Sequence, residues 1–419
     1  MGRALELLGS QTHDGPSGLA APPDTGRGII SGIRAALTRT RSMKVFLTGT
    51  SLLPSYGGPA FSVSRLAVAL TEAGAEVGLW TADQSVATTP LLPRVSTVRR
   101  VVGTPAEAVD SFGRPDIVHD NGIWSPHNHD LARLAARLRV PRVISTRGML
   151  EPWALRHKRF KKTLAWYLYQ VSDLKQACCH HATSEAEARS VERLALKVPV
   201  VVVPNGVDVP QKSQAVNSRG TARFRNGQKT ALFLGRIYPV KGLSMLVRAW
   251  ARVRPAGWVL RIVGPDEAGH QKQIERAVSA AGLEAVVSFA GPVDNSTKEA
   301  VFFDADLFVL PSYSESFGVV VAEALAHGVP VLTTKATPWS VLAQRNCGWW
   351  VEATVDGIAA GLRDATGAGP ETLEAMGLRG LRLVTEKFGW NGVAEEMLSM
   401  YSRITAQSAH GSLSSFGST

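Results

Sequence analysis

The chain has 419 residues, with 46 Lys+Arg against 35 Asp+Glu, a formal net charge of +11, 45% hydrophobic and 19% charged residues. That composition excludes a wholly disordered chain, a collagen and a coiled coil, and at ~150 residues per domain it points to two or three domains with no need of disulfide staples. No uninterrupted apolar run approaches the ~18 residues of a membrane helix, the first residues lack a secretory layout, and the three cysteines have no zinc-like spacing, so a reduced, cytoplasmic compartment is expected.

Residues 1–42 are rich in Gly, Pro, Ser and Thr and read as a disordered extension, with at most a helical turn at Ile29–Leu37. Order is expected from Met43. The run Lys44–Gly49 (KVFLTG) reads as a strand. A loop with Gly57, Gly58 and Pro59 follows, then a helix over Ala60–Glu72 stopped by Gly74, then a strand at Glu76–Thr81. That unit is the opening of a Rossmann-type half. Further short apolar strands are expected at Asp116–His119, Arg142–Thr146, Ala182–Ser184 and Val200–Val203. Helices are expected between them at Asp130–Leu138, Trp153–Gln176 and Glu185–Leu196.

The polar stretch Gln211–Gln228 reads as a domain junction. The same alternation then restarts. Strands are expected at Ala231–Gly235, Val259–Val263, Val286–Phe289, Leu307–Leu310 and Val331–Thr333, with helices at Leu243–Val253, Gln271–Ala281 and Val319–Ala326. Continuous apolar strand runs imply parallel sheets covered on both faces. The expected domains are therefore 43–208, 209–390, a helix over 391–407 that crosses back to the first domain, and a disordered tail at 408–419. The cleft between two such domains is the expected ligand site.

The most informative segment is Leu310–Gly328 (LPSYSESFGVVVAEALAHG). A strand gives way to a polar loop, then to a helix beginning near Gly318, whose free N–H groups make an anion site. Glu315 sits beside that site. Glu323 lies on an apolar helix, where a carboxylate is costly without a partner and a ribose or sugar hydroxyl would supply one. A capping Glu and a solvent-facing Glu are the plainer alternative. In Phe233–Lys241 (FLGRIYPVK), Arg236 and Lys241 stand five apart at a strand mouth and could both reach one diphosphate.

Together with Gly57-Gly58-Pro59, PNGVD at Pro204–Asp208 and VGP at Val263–Pro265, these segments resemble the retaining nucleotide-sugar glycosyltransferases of the GT-B fold that carry a Glu-x7-Glu motif. RGMLEPWAL at Arg147–Leu155 and TPWSVL at Thr337–Leu342 resemble the branch that builds bacterial exopolysaccharide or O-antigen repeat units. The resemblance implies an α/β GT-B fold, two Rossmann-like domains with parallel sheets facing a central cleft. It also implies the following roles. Arg236 and Lys241 hold the donor diphosphate, and Glu315 contacts the donor sugar. Ser316, Phe317 and Gly318 bind phosphate or sugar through the backbone, and Glu323 binds the ribose. Gly57 and Gly58 approach the donor phosphate, while Gly264 and Gly291 flank the base. Many relatives place a His where this chain has Arg147, which stays protonated and so cannot act as a base; Arg147 is expected to bind the donor or an anionic acceptor. His119 and His127 are placed on another loop that could approach the cleft, with a structural or exposed histidine as the favoured reading of each.

The implied partners are a nucleotide sugar and a lipid-linked saccharide acceptor. No metal or other cofactor is expected, and Asp304-Ala-Asp306 reads as a helix-to-strand turn. Arg156, Lys158, Arg159, Lys161 and Lys162 fall within seven residues beside Trp153, Trp166, Tyr167 and Tyr169. That pattern suits an anionic membrane surface, a peripheral position on the inner face of the cell membrane, or simply a basic solvent face. No nucleic-acid motif accompanies the charge, and no G-x-G-x-x-G follows the first strand, against a dinucleotide dehydrogenase. A GT-B-fold sugar-nucleotide epimerase is the alternative enzyme.

Overall fold

The computed structural model describes residues 42–93, 96–156, 159–210 and 227–409. The expectations for residues 1–41, 211–226 and 410–419 lie outside the described residues. The first sheet holds β1 (Lys44–Gly49), β2 (Glu76–Thr81), β3 (Arg99–Val101), β4 (Ile117–Asn121), β5 (Arg142–Ser145), β6 (Cys179–Ala182) and β7 (Val200–Val202). Their order is β3-β2-β1-β4-β5-β6-β7, and every pairing is parallel. The second sheet holds β8 (Lys229–Leu234), β9 (Trp258–Val263), β10 (Val287–Phe289), β11 (Leu307–Leu310), β12 (Val331–Thr334) and β13 (Gly348–Val351). Its order is β10-β9-β8-β11-β12-β13, again wholly parallel. The expected α/β architecture of two parallel, Rossmann-like sheets is what the chain forms.

Parallel strands need helical crossovers, and the helices cover both faces, which is why residues of β1, β4, β8 and β11 are buried almost without alternation. Each sheet reverses its winding once, between β1 and β4 and between β8 and β11. Strand ends splay apart at such a point and leave a crevice at the C-terminal edge. Gly235-Arg236 leaves the end of β8 and Pro311–Gly318 leaves the end of β11, so the two informative segments of the second half meet at one switch point.

The chain returns to the first half at its end. The helix Trp390–Ala409 buries Val393, Ala394, Met397, Met400, Tyr401 and Ile404 in the first core, against the helix Gly58–Glu72 and strand residues Val45 and Leu47. Those positions repeat at three- and four-residue spacing and so share one face. The outgoing and returning segments lie side by side: the N–H of Val207 donates to the Phe388 carbonyl at 2.8 Å. Arg65 of the first half forks onto Asp208, with Nε donating at 2.9 Å and Nη2 at 2.5 Å.

Several local expectations are corrected. The strand expected at Ala182–Ser184 is Cys179–Ala182; His180 and His181 disguised it, being polar residues that are nevertheless buried. The single helix expected at Trp153–Gln176 is a short helix Pro152–Arg156 and a second one from Arg159 to Lys175 that widens into a π turn at Trp166–Gln170. Phe160, Leu164 and Leu168, at helical spacing, point outward with exposures of 91%, 63% and 70%. Strands β3 and β13 and the helices Pro105–Phe112, Asn295–Phe303, Val355–Gly367 and Pro370–Lys387 were not legible in the pattern.

Candidate active site

The second half supplies a row of charged groups along the switch point. Lys241 Nζ donates to Glu315 Oε1 at 2.6 Å, and Ser312 Oγ donates to the same oxygen at 2.6 Å. Both members of that ion pair are mostly shielded, at 16% and 12% side-chain exposure, so its geometry is set before any ligand arrives. Arg236 Nη1 donates to Glu267 Oε2 at 2.6 Å on the more exposed rim. Eight residues beyond Glu315, Glu323 Oε1 accepts from Lys298 Nζ at 2.5 Å, while its Oε2 is buried and has no hydrogen-bond partner among the described residues. A buried carboxylate oxygen left unpaired is costly, and a ligand hydroxyl would satisfy it.

Between the two carboxylates, Gly318 takes a left-handed φ of 77° and caps the helix Val319–Ala326. Among the described residues no hydrogen bond uses the N–H of Ser316, Phe317 or Gly318. Those donors and the positive helix end together present a partial positive charge that an anion could meet. The Phe317 ring itself is core, packed on Trp339 and Phe388, and its carbonyl accepts from Trp339 Nε1 at 2.5 Å. Gly264 belongs to the supporting layer. A Cβ there would lie 1.9 Å from the Gly235 carbonyl oxygen, so only glycine lets the ends of β8 and β9 approach this closely. Gly264 N donates to the Gly291 carbonyl at 2.8 Å, which brings those two expected residues together.

The first half faces this row at close range. Gly57, at φ 82°, precedes the helix Gly58–Glu72, and a Cβ on it would lie 3.8 Å from Arg236 Nε. Gly58 beside it is open on the side where a Cβ would stand. Further along, a Cβ on Gly148 would lie 3.0 Å from Ser316 Cβ. Ser184 Oγ donates to the Ser316 carbonyl at 2.6 Å. Lys298, which holds Glu323, lies 5.5 Å over the Phe61 ring of the first half. The structure thus brings Gly57 to Arg236, Lys241 to Glu315 and the residue after Arg147 to Ser316, where the two halves meet, and Glu323 approaches the first half through Lys298.

Arg147 is held by neutral groups. Its Nε and Nη2 donate to Asn121 Oδ1 at 3.0 and 2.5 Å, and its Nη1 donates to Asn205 Oδ1 at 2.9 Å. Burial pulls its pKa down to about 10, against the favourable charge of Glu187. Glu187 is itself a hub. It accepts from Thr146 Oγ1 at 2.9 Å, Gly148 N at 2.6 Å, Thr183 N at 2.8 Å and Thr183 Oγ1 at 2.7 Å.

The loop and cleft alternative for the histidines is corrected, and the structural reading holds. His119 is not on a loop; it is a fully buried residue of β4. Its Nδ1 meets Tyr401 Oη at 2.5 Å and its Nε2 meets Ser145 Oγ at 2.7 Å. Ser145 Oγ meets His181 Nδ1 at 2.5 Å, and His181 Nε2 donates to the Val203 carbonyl at 2.8 Å. His127 lies in the helix Pro126–Leu138, edge-on to Trp80. Neither histidine reaches the cleft row. Asp304 and Asp306 occupy the helix-to-strand turn, Asp306 Oδ2 accepting from Thr230 N at 2.8 Å.

Sequence reasoning missed Lys298, Glu267, Thr183, Ser184, Glu187, Asn121 and Asn205. The run Thr183–Glu187 (TSEAE), with a capping Ser184 and an acid three residues on, was the available signal for part of this set.

Two family models match successive parts of the chain: Glycosyltransferase Family 4 over residues 56–211 and Glycosyl transferases group 1 over residues 217–380. The chain is 28% identical over 397 residues to the D-inositol 3-phosphate glycosyltransferase of Nocardia farcinica, covering 83% of this chain and 84% of that protein. Among solved structures it is similar to sucrose-phosphate synthase from Thermosynechococcus elongatus, with a TM-score of 0.70 and 20% identity over 87% of this chain and 99% of that one. It is also similar to the Anabaena protein HepE in complex with UDP-glucose, with a TM-score of 0.66 and 19% identity over 86% of this chain and all of that one. The two glycosyltransferase models thus match the two parallel-sheet halves in turn, and what the chain shares with these solved structures is the fold, the two Rossmann-like domains of the GT-B glycosyltransferases.

Proposed function

We propose that the protein transfers a hexosyl group from a nucleotide-sugar donor to a lipid-linked saccharide acceptor in the assembly of a bacterial surface polysaccharide, with retention of anomeric configuration. The observation that carries the donor assignment is the buried Oε2 of Glu323, without a hydrogen-bond partner among the described residues and about one helix turn beyond Gly318. A nucleotide places a ribose hydroxyl and a diphosphate at that separation. Lys241 and Arg236 meet the charge that grows on the diphosphate as the sugar–phosphate bond breaks, and the helix end at Gly318 adds its dipole. Glu315, oriented by Lys241 and Ser312, takes the donor sugar hydroxyls. Arg147 stands where a base would be expected, so the departing phosphate is the group that accepts the acceptor proton.

The membrane side of this reading rests on Phe160, Leu164, Tyr167 and Leu168, an apolar face with exposures of 63–91%. Arg156 and Lys161 flank it and are exposed. Among the described residues no helix is long and apolar enough to cross a bilayer. An apolar face with a basic border suits adsorption to the inner, anionic leaflet. Flotation with anionic liposomes in low and high salt tests it: a bound fraction that ignores both salt and serine at these four positions rejects the docking face.

The reaction is tested by screening nucleotide sugars against lipid-linked acceptors and reading the product anomer by NMR. An inverted product rejects retention. Epimerised free donor in the absence of acceptor replaces transfer with the epimerase reading.

A further inference from the structure

We infer that Arg147 is a preformed receptor for an anionic group of the acceptor, a phosphate or carboxylate next to the hydroxyl that is glycosylated. The inference rests on the transferase reading above and names the class of its acceptor.

Arg147 lies partly buried at the C-terminal end of β5, at a left-handed φ of 51°. A guanidinium has five N–H donors. Three are spent on Asn121 and Asn205, which leaves one N–H on Nη1 and one on Nη2. Among the described residues no carboxylate hydrogen-bonds to it. A partly desolvated cation clamped by neutral amides keeps its charge for a ligand, and two N–H groups on one planar fork match an oxyanion.

The clamp is rigid because a second polar layer lies beneath it. His119, Ser145, His181 and Val203 form the buried hydrogen-bond chain already described. Asn121, Arg147, Thr183 and Asn205 follow each of them by two residues. The lower chain ties the C-terminal ends of β4, β5, β6 and β7 together, and the clamp residues stand at or just past those ends. Glu187 fixes the same loop from the side, through Thr146, Gly148 and Thr183.

Two observations assign the anion to the acceptor and not to the donor diphosphate. Every hydrogen-bond partner of Arg147, and the nearest stabilising carboxylate, Glu187, belong to the first half. The second half carries its own cations for the diphosphate, Arg236 and Lys241, each already oriented by a carboxylate.

The test uses methyl phosphate as the probe and the full chain. Its binding is measured by calorimetry with the donor site filled by saturating UDP, or by GDP if UDP does not bind. Methyl phosphate should still bind the nucleotide-filled protein, Arg147→Gln should weaken that binding by roughly tenfold or more, and Arg147→Lys should weaken it less. Melting temperatures of both variants identify any loss due to misfolding, and Asn121→Ala, which frees the fork without removing the charge, serves as a second variant. Displacement of methyl phosphate by the nucleotide overturns the inference and makes Arg147 a donor contact. Binding that is absent in the native chain, or unchanged in Arg147→Gln, also overturns it. Failure of every nucleotide to bind at all would instead strike the transferase reading.

Discussion

His119 and Tyr401, 282 positions apart, share a 2.5 Å hydrogen bond in the middle of the first half. The direction of every bond in that chain follows from its far end. A carbonyl only accepts, so His181 Nε2 carries the hydrogen that meets Val203. His181 Nδ1 is then a lone pair and takes the Ser145 hydroxyl hydrogen. Ser145 Oγ accepts from His119 Nε2, and Tyr401 donates to His119 Nδ1. Both imidazoles are neutral, and burial holds both pKa values down, that of His181 to about 4. Nitrogen-15 NMR should find both rings as the Nε2–H tautomer, unchanged between about pH 5.5 and 8. Tyr401→Phe strands a buried acceptor and should cost about 1–3 kcal/mol in chemical denaturation. A titrating His119, or a fully stable Tyr401→Phe, contradicts this polarity.

Lys241→Ala and Glu315→Ala should each lower turnover by at least about tenfold while the protein stays folded, because each leaves the other's charge unpaired at the donor. The double variant should lose less than the product of the two single losses, since the groups act as a unit. Steady-state kinetics on all three variants decides it; full additivity would mean the 2.6 Å pair is incidental.

Lys298 gives the Glu323 carboxylate its orientation from one side only. Lys298→Met should therefore raise the donor KM by roughly tenfold with a smaller change in kcat, and Glu323→Gln should show the same split. A donor lacking the ribose hydroxyls should be insensitive to both substitutions. Equal sensitivity of that donor would place the ribose elsewhere.

Glu151 is half-buried behind the Arg147 loop, its Oε1 shielded and without a hydrogen-bond partner among the described residues, and desolvation together with Glu187 pushes its pKa up to about 7. A folded-state pKa above the unfolded value contributes stability below about pH 4.5 that is lost as pH rises through 7. Glu151→Gln cannot ionise, so its stability relative to the native chain should rise between about pH 4.5 and 7 and stay level above. The group is partly solvated, so the gain at pH 8 should be on the order of 1–2 kcal/mol. Urea melts at pH 5 and pH 8 measure it, and a gain at pH 5 equal to that at pH 8 refutes the assignment.

The order of strands and helices was largely legible where apolar runs were continuous, as in β1, β8 and β11, because a strand buried on both faces leaves an unbroken hydrophobic record. The edge strand β3 (RRV) carries two arginines and is only partly buried, so it leaves none. The loop Ser312–Gly318 and the two glutamates were legible too, since an acid in an apolar helix has no local explanation. Sequence alone therefore determined the two-domain α/β class and singled out Arg236, Lys241, Glu315 and Glu323 as candidates. Tertiary structure decided the partners. Lys298 is tied to Glu323 across 25 positions and Asn205 to Arg147 across 58. His119 became a buried link instead of a cleft residue because Tyr401, from the returning helix, satisfies its Nδ1. Such pairings depend on which strand ends the sheet order brings together, and no local periodicity records that.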